Sequence, residues 1–410
     1  MQAEKSVLGT LLKEPYLLAE TRIQPEHLEQ QQHRSILAAM KELKEQGKGV
    51  DVITLLSYYD PNRFGGANNL TDISNMANEK KFDDHERAVL DAFREREKKS
   101  IIRLAQTEDW SIEEITSKLD KLHNEEMSDF ADIMTLTTEV YEAPYQKREI
   151  ASGIDTGLKE LNTMTGGFQN GELTIVAARP STGKTDVMLH FSKYAGWNNA
   201  LPIISSLEMS KNLLRDRLIA STGNYNRAKL KDPYSTMTDE QKKSWMPTLH
   251  RLSDTKMQIF DRSGQTLPEI RMKARKRIAE FPDRKPILFI DYLTLIRSTE
   301  RTDNMHHKIG AISKGLKAIA KEFDCPVVVL AQLSRQVEQR QDKRPLLSDL
   351  RESGSIEEDA DMVIMLYRDA YYTKDETNRT MELIIAKNRN GATGTVYAEY
   401  NHFTGSLKDQ

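Results

Sequence analysis

Seven consecutive residues, Arg179-Pro180-Ser181-Thr182-Gly183-Lys184-Thr185, follow an apolar run (Leu173–Ala178) and precede a helical pattern. Strand, tight loop and helix in that order let backbone N–H groups and a helix N-terminus surround phosphate oxygens. In such a loop Lys184 reaches the β- and γ-phosphates of ATP, and the Thr185 hydroxyl holds Mg²⁺. The strict motif is missed by one residue, because Ala178 stands where a glycine opens it. Pro180, moreover, has no N–H to offer a phosphate. A chance Gly-Lys-Thr at a helix start is the competing reading, and the strand–loop–helix context argues against it.

Three more strand ends carry polar groups. Ile287–Ile290 delivers Asp291 at its C-terminal edge, where α/β sheets place ligand chemistry, and this carboxylate would hold Mg²⁺ through water. Glu208 follows Ile203–Leu207, and a carboxylate beside a γ-phosphate can orient and polarise the attacking water. A helix-start acid beside Ser206, favoured by the helix dipole, fits the same residues equally well. Gln332 ends Val327–Ala331; its amide either contacts the γ-phosphate and reports hydrolysis to the next loop, or caps a strand end.

The elements that must position these groups begin near residue 151. There, short β-branched runs alternate with longer helical segments, which predicts an α/β domain with a mainly parallel sheet over 151–410. The runs Met381–Ala386 and Thr395–Tyr400 flank Asn390-Gly391, the signal of an antiparallel hairpin. Residues 1–124 read as an all-α domain, with Val7, Leu8, Leu11, Leu12 and then Ile36, Leu37, Met40, Leu43 at helical spacing. The stretch 84–124 has the dense mixed charge of long helices. Between the two domains, 125–150 reads as a linker with one short helix (Ile133, Leu136, Val140, Tyr141), whose apolar stripe would cover either a neighbouring subunit or its own domain.

Bulk properties narrow the class. A chain of 410 residues suggests two or three domains. No stretch nears the ~20 apolar residues that span a bilayer, and the first residues lack a secretory pattern. The single cysteine, Cys325, fits a reducing cytoplasm and reads as a buried thiol. With 59 basic and 62 acidic residues the chain is not a basic coat for DNA. A few basic loops facing a channel remain compatible with that balance, since a ring repeats each contribution around the strand. The histidines show no zinc-ligand spacing.

Taken together, the segments resemble the DnaB-type replicative helicases, bacterial and phage, along nearly the whole chain. The resemblance is carried in the motor by SGIDTGLKELNTMTGGFQNGELTIVAARPSTGKT, SLEMS, ILFIDYLTLI, VVVLAQLSRQVEQRQDKRP, SDLRESGSIEEDADMVIMLYRD and IIAKNRNGATGTV. In the N-terminal part it is carried by AEKSVLGTLL, HRSILAAMKELKEQG and DVITL. The alanine that opens the phosphate loop is typical of that family.

The resemblance implies a RecA-like P-loop motor, a homo-hexameric ring and ATP-driven movement on single-stranded DNA, normally 5′→3′, that unwinds replication forks. It makes Glu208 the catalytic glutamate and Gln332 the γ-phosphate sensor. It makes Lys387 and Arg389 cations inserted into the neighbouring subunit's ATP site, Arg389 as an arginine finger in trans. It assigns Arg351, Glu352 and Gly354 to a DNA-contacting loop, with Arg351 on phosphate, Glu352 orienting it or accepting from a sugar hydroxyl or backbone N–H, and Gly354 allowing close backbone approach. It also implies a helical collar that docks primase, and a helicase loader. Relatives often carry an extended arm before the first helix, and Ser298–His307 has no counterpart aligned with assurance. Arg335, Arg340, Lys343 and Arg344 form a further basic stretch, facing either DNA or a neighbour. The rival functions are a recombinase, disfavoured by the helical N-terminal half, an ATP-binding loader or assembly switch, and a small-molecule P-loop kinase.

Overall fold

The computed structural model describes residues 2–108, 110, 133–139, 141, 145, 153–297, 305–375 and 377–410. The expected helices over 111–124, most of the linker, and the start of Ser298–His307 lie outside the described residues. The chain divides into two compact units, Met1–Arg148 and Glu149–Gln410.

The first unit is helical: α1 (Gln2–Lys13), α2 (Gln31–Glu45), α3 (Val52–Tyr58), α4 (Ala67–Asn75) and the 27-residue α5 (Phe82–Glu108), with short 3₁₀ turns between them. Val7, Leu8, Leu11, Ile36, Leu37, Met40 and Leu43 are fully buried together with Leu55, Leu70 and Ile73. Gly9 lets α1 touch α4, since a Cβ there would lie 2.0 Å from the Ile73 carbonyl oxygen. Inside this core the Glu4 carboxylate meets His33 Nδ1 at 2.6 Å and accepts the Glu29 N–H at 2.7 Å. Burial alone would push the Glu4 carboxyl up, but the His33 and Glu29 contacts outweigh it and hold it below its ordinary value of 4.5. A depressed carboxyl contributes stability above its unfolded pKa and loses it as pH falls through the folded one. Glu4→Gln is therefore expected to cost the N-terminal unit about 1–3 kcal/mol at pH 7. The deficit should shrink below pH 4.5, as read by denaturant unfolding at the two pH values.

The second unit is built on one nine-stranded sheet in the order β3-β2-β4-β5-β1-β6-β7-β8-β9. The strands are β1 (Leu173–Ala178), β2 (Ala200–Ser206), β3 (Gln258–Phe260), β4 (Lys285–Asp291), β5 (Val327–Gln332), β6 (Met362–Tyr367), β7 (Thr380–Asn388), β8 (Gly394–Asn401) and β9 (Ser406–Asp409). Six are parallel, and β6 to β9 pair antiparallel, including the β7–β8 hairpin across Asn390-Gly391. Every residue of β1 is buried, because both faces are covered, which is why the strand reads as an unbroken apolar run. Val176 and Ala178 face one core with Val187, Leu189 and Phe191 of α6 (Lys184–Trp197). Leu173, Ile175 and Ala177 face the other, with Ile270 and Ala274 of α8 (Leu267–Glu280) and Ile312 and Leu316 of α9 (Met305–Glu322). Between β2 and β3 lies α7 (Lys211–Gly223), started by a Ser210 cap on Leu213 N–H.

This is the α/β RecA-like motor expected of the sequence, preceded by its all-α N-terminal domain. Two short edge strands, β3 and β9, escaped the sequence pattern. Cys325 is buried, and burial pushes its thiol up to about 12, so it stays a packing residue.

Candidate active site

The end of β5 and the segments that follow β1, β2 and β6 open on one cavity of about 430 Å³. At its floor, Thr182 N–H closes a turn on the Arg179 carbonyl at 3.3 Å. Pro180 takes the second place of that turn and Ser181, at φ +65°, the third. This is the type II arrangement, in which Pro favours the second position and a left-handed residue is required at the third. Pro180 thus serves the turn and leaves phosphate contact to other N–H groups. Gly183 follows at φ +114°; a Cβ there would come within 3.0 Å of Tyr400 Cζ and 3.1 Å of Met381 Cε. Helix α6 then starts at Lys184 and points its N-terminus at the cavity.

Pro180, Ser181, Gly183, Lys184 and Thr185 line the cavity, while Thr182 is buried beside it. Arg179 lines it too, its guanidinium held by Nε on Glu338 at 2.8 Å and Nη1 on the Leu333 carbonyl at 2.8 Å.

The Thr185 hydroxyl donates to Asp291 Oδ2 at 3.1 Å. Asp291 is fully buried, and its other oxygen, Oδ1, has no hydrogen-bond partner. Burial raises the Asp291 carboxyl, opposed by Lys184 and Thr185. Burial likewise lowers the Lys184 ammonium, opposed by Asp291 and Glu208. An unpartnered buried carboxylate oxygen beside a threonine hydroxyl is the donor set that suits a hydrated Mg²⁺.

Glu208 is exposed on the cavity wall, beyond the end of β2. It precedes the Ser210 cap and so lies outside the first turn of α7. Its loop is pinned by Ser206 Oγ, which donates to the Met209 carbonyl at 2.7 Å, and by Leu207 N–H on the Asp291 carbonyl at 2.6 Å. Gln332, the last residue of β5, is exposed on the same cavity.

Sequence reasoning missed the other half of the cavity, formed by Asp186, Arg217, Arg227, Arg368, Tyr400 and His402. Buried Asp186 accepts from Arg217 at 3.2 Å, Arg227 at 2.5 Å and the Tyr400 hydroxyl at 2.5 Å. Burial and Asp186 together raise the Tyr400 phenol. Arg368 stacks over the Tyr400 ring at 4.6 Å, and burial lowers its pKa. In the sheet order, Arg368 directly follows β6 and Tyr400 lies in β8, on the opposite side of β1 from β4, β5 and β2, which carry or precede Asp291, Gln332 and Glu208.

Lys387 and Arg389 lie elsewhere. Lys387 pairs with Val363 near the start of β6, and Arg389 bonds Asp361, whose carboxylate accepts the Leu173 N–H at the start of β1. β1 has six residues, so about 17 Å of strand separates these cations from the phosphate loop of their own chain. Arg351 and Glu352 fall in the turn Leu347–Ser353, and Gly354 opens the helix Gly354–Asp359. That turn is tied back toward Gln332 by the Ser334 N–H on the Asp349 carbonyl at 3.0 Å. In the basic stretch, Arg340 pairs with Asp349 and Arg344 with Glu382 at 2.7 Å each, and Lys343 lies over the Tyr372 ring at 5.0 Å.

The comparisons with known proteins bear on this geometry. The family model described as the DnaB-like helicase C terminal domain matches residues 153–409, and that of the DnaB-like helicase N terminal domain matches residues 1–91. The chain belongs to the DnaB-like helicase family. Among its relatives are the replicative DNA helicase DnaC of Bacillus subtilis (strain 168) and the replicative DNA helicase DnaB of Geobacillus stearothermophilus. Each is 36% identical, covering 98% of this chain and 94% of its own length. A solved DnaB-like replicative helicase, studied with its interactions with primase, is 34% identical over all of this chain and 99% of its own, with a TM-score of 0.66. A second solved structure, an ATPase domain, is 38% identical over 68% of this chain and 99% of its own, with a TM-score of 0.65. The match to the N-terminal domain is what a recombinase would lack. Among the described residues no helix is long and apolar enough to cross a membrane.

Proposed function

We propose a cycle in which this helicase binds ATP between subunits and moves single-stranded DNA through the centre of a homo-hexamer. A member of this family with such relatives along nearly its whole length is an ATP-dependent replicative DNA helicase. One observation carries the proposed cycle. Lys184, Thr185, Glu208 and Gln332 line one cavity and Thr185 holds the buried Asp291 beneath it, while Lys387 and Arg389 stand at the other end of β1. Such a chain completes its site only when a second copy brings its own cations to the first copy's nucleotide.

In this reading the N–H groups of Ser181–Thr185 and the Lys184 ammonium hold the phosphates. Thr185 and Asp291 would hold Mg²⁺, which supplies charge neutralisation on the β- and γ-phosphates when bound. Glu208 accepts the proton of the attacking water. Arg389 and Lys387 of the next subunit face the charge that develops on the γ-phosphate. The nucleoside extends toward Arg368 and Tyr400, the half of the cavity away from Glu208. Gln332 senses loss of the γ-phosphate and passes it through Ser334 and Asp349 to the loop of Arg351, Glu352 and Gly354. That loop contacts the DNA backbone, which makes the grip independent of base sequence.

The remaining parts serve assembly. Residues 1–124 form a collar that receives primase, 125–150 the linker and 151–410 the motor. Ile133 and Met134 are 71% and 73% exposed on the linker helix Ile133–Glu139, and the next subunit covers them. A loader places the ring on DNA in the cytoplasm.

The test is unwinding of a forked DNA with Mg-ATP. A 5′ single-stranded tail is expected to support unwinding and a 3′ tail alone is not, with hydrolysis stimulated by single-stranded DNA. Unwinding that enters only from the 3′ tail would reverse the assigned direction. Hydrolysis indifferent to DNA, in confirmed hexamers, would turn the reading to an assembly switch.

A further inference from the structure

The cations assigned above to the neighbour's nucleotide have unusual partners in their own chain. Lys387 Nζ donates to the Glu357 carbonyl at 2.5 Å and reaches the Glu358 carbonyl at 3.4 Å. Arg389 Nη2 donates to the Glu358 carbonyl at 2.5 Å, and its Nη1 to Asp361 Oδ1 at 3.2 Å. These carbonyls close the C-terminal end of the helix Gly354–Asp359, where unpaired carbonyl groups and the helix dipole attract cations. The other end of that helix is Gly354, in the loop assigned to DNA. From Gly354 to Glu358 the helix rises only about 6 Å, so one short rigid rod has the DNA loop at one end and both cations at the other.

Asp361 anchors the cation end. It is buried, and its Oδ2 accepts the Leu173 N–H at 2.8 Å and Lys317 Nζ of α9 at 2.6 Å. Its backbone is locked as well, with its N–H on the Leu173 carbonyl and its carbonyl accepting the Arg389 N–H, both at 2.9 Å. The hairpin tip gains a further hold from Asn390 Nδ2, which donates to Glu172 Oε1 at 2.5 Å. Oδ1 of Asp361 is thus left to Arg389. With its Oδ2 fixed to the central strand, the carboxylate sets where the guanidinium starts, while the guanidinium itself is half-exposed and able to leave.

From this arrangement we infer that Asp361 and the helix Gly354–Asp359 couple the DNA loop to the trans cations: Asp361 positions Arg389, and displacement of the loop by DNA is carried along the helix to the Lys387–Arg389 seat. The inference rests on the reading of Arg389 as a cation acting in trans, and it adds a route by which DNA in one subunit governs hydrolysis in the next. Asp361 is a positioning residue, since it touches no substrate.

The test uses the full chain, assembled, with oligothymidylate as the probe. Asp361→Asn keeps the size and the acceptor for Leu173 N–H but removes the charge facing Arg389. It is expected to lower the DNA-stimulated kcat about tenfold, the scale of one lost hydrogen bond between charged groups, with KM for ATP unchanged. In an Arg389→Ala background the same change is expected to have no further effect. Lys317→Met, which removes one ion pair but leaves Asp361 Oδ2 held to the central strand by the Leu173 N–H, is expected to lower the melting temperature and leave DNA stimulation intact. An Asp361→Asn defect that persists without Arg389, or that Lys317→Met reproduces, would reduce Asp361 to a structural role and overturn the inference. An Arg389→Ala chain that hydrolyses normally would instead overturn the trans reading beneath it. Should Asp361→Asn fail to fold, hydrogen exchange on the wild type decides: oligothymidylate must change protection in the peptide spanning Lys387–Gly391, and unchanged exchange there sinks the coupling.

Discussion

Arg389→Ala is expected to lower the kcat of DNA-stimulated ATP hydrolysis by about 10³–10⁵-fold, the range for loss of an arginine finger. The nucleotide pocket should survive the change, because Arg389 lies at the opposite end of β1 from Lys184 and lines no part of the cavity. Binding of ATP to the isolated cavity should therefore stay near the wild-type level while turnover collapses. Mixed assemblies separate action in trans from action in cis. A Lys184→Met chain has a dead pocket and an intact finger, and an Arg389→Ala chain has the reverse. Neither hydrolyses alone, yet mixing them creates interfaces at which an intact pocket meets an intact finger, and a fraction of the activity should return. Confirmed mixed hexamers that stay inactive would refute the assignment. So would an Arg389→Ala chain with ordinary turnover.

What could be read from the sequence follows a physical divide. Groups delivered by short local patterns were legible: the loop from Arg179 to Thr185 between strand and helix, Asp291 at the end of an apolar strand, and the hairpin about Asn390-Gly391. Each depends on neighbours a few residues away. The far half of the cavity was not legible, because Asp186, Arg217, Arg227, Arg368 and Tyr400 come from separate elements and meet only once the sheet order is set. No spacing in the chain announces that Tyr400 closes on Asp186, 214 positions away. Lys387 and Arg389 illustrate the middle case. Only the family resemblance gives them a role. The structure supplies what the resemblance could not: their seat on the Glu357 and Glu358 carbonyls and on Asp361. The strands β3 and β9 were missed for a different reason. At three and four residues, on or near a sheet edge, they are too short for an alternating pattern to rise above that of a loop.

Glu208 presents the sharpest choice between chemistry and local structure, since sequence pattern left a general base and a helix-start acid level. A helix-start acid stabilises its helix through the exposed N–H groups of the first turn. In this chain Ser210 performs that capping on Leu213 N–H, and Glu208 stands two residues outside it, exposed on the cavity wall. The loop that holds it is fixed without its side chain, through Ser206 Oγ on the Met209 carbonyl and Leu207 N–H on the Asp291 carbonyl. Glu208→Gln is therefore expected to shift stability by no more than about 0.5 kcal/mol, the ordinary range for an exposed position. Its effect on kcat should be a loss of about 10²–10⁴-fold, the contribution of a positioned proton acceptor. ATP binding should persist, because phosphate contact belongs to Lys184 and the loop amides. The variant should accordingly hold ATP and bind single-stranded DNA without turning over. A lowered melting temperature with hydrolysis intact is the opposite outcome, and it would return Glu208 to the helix start.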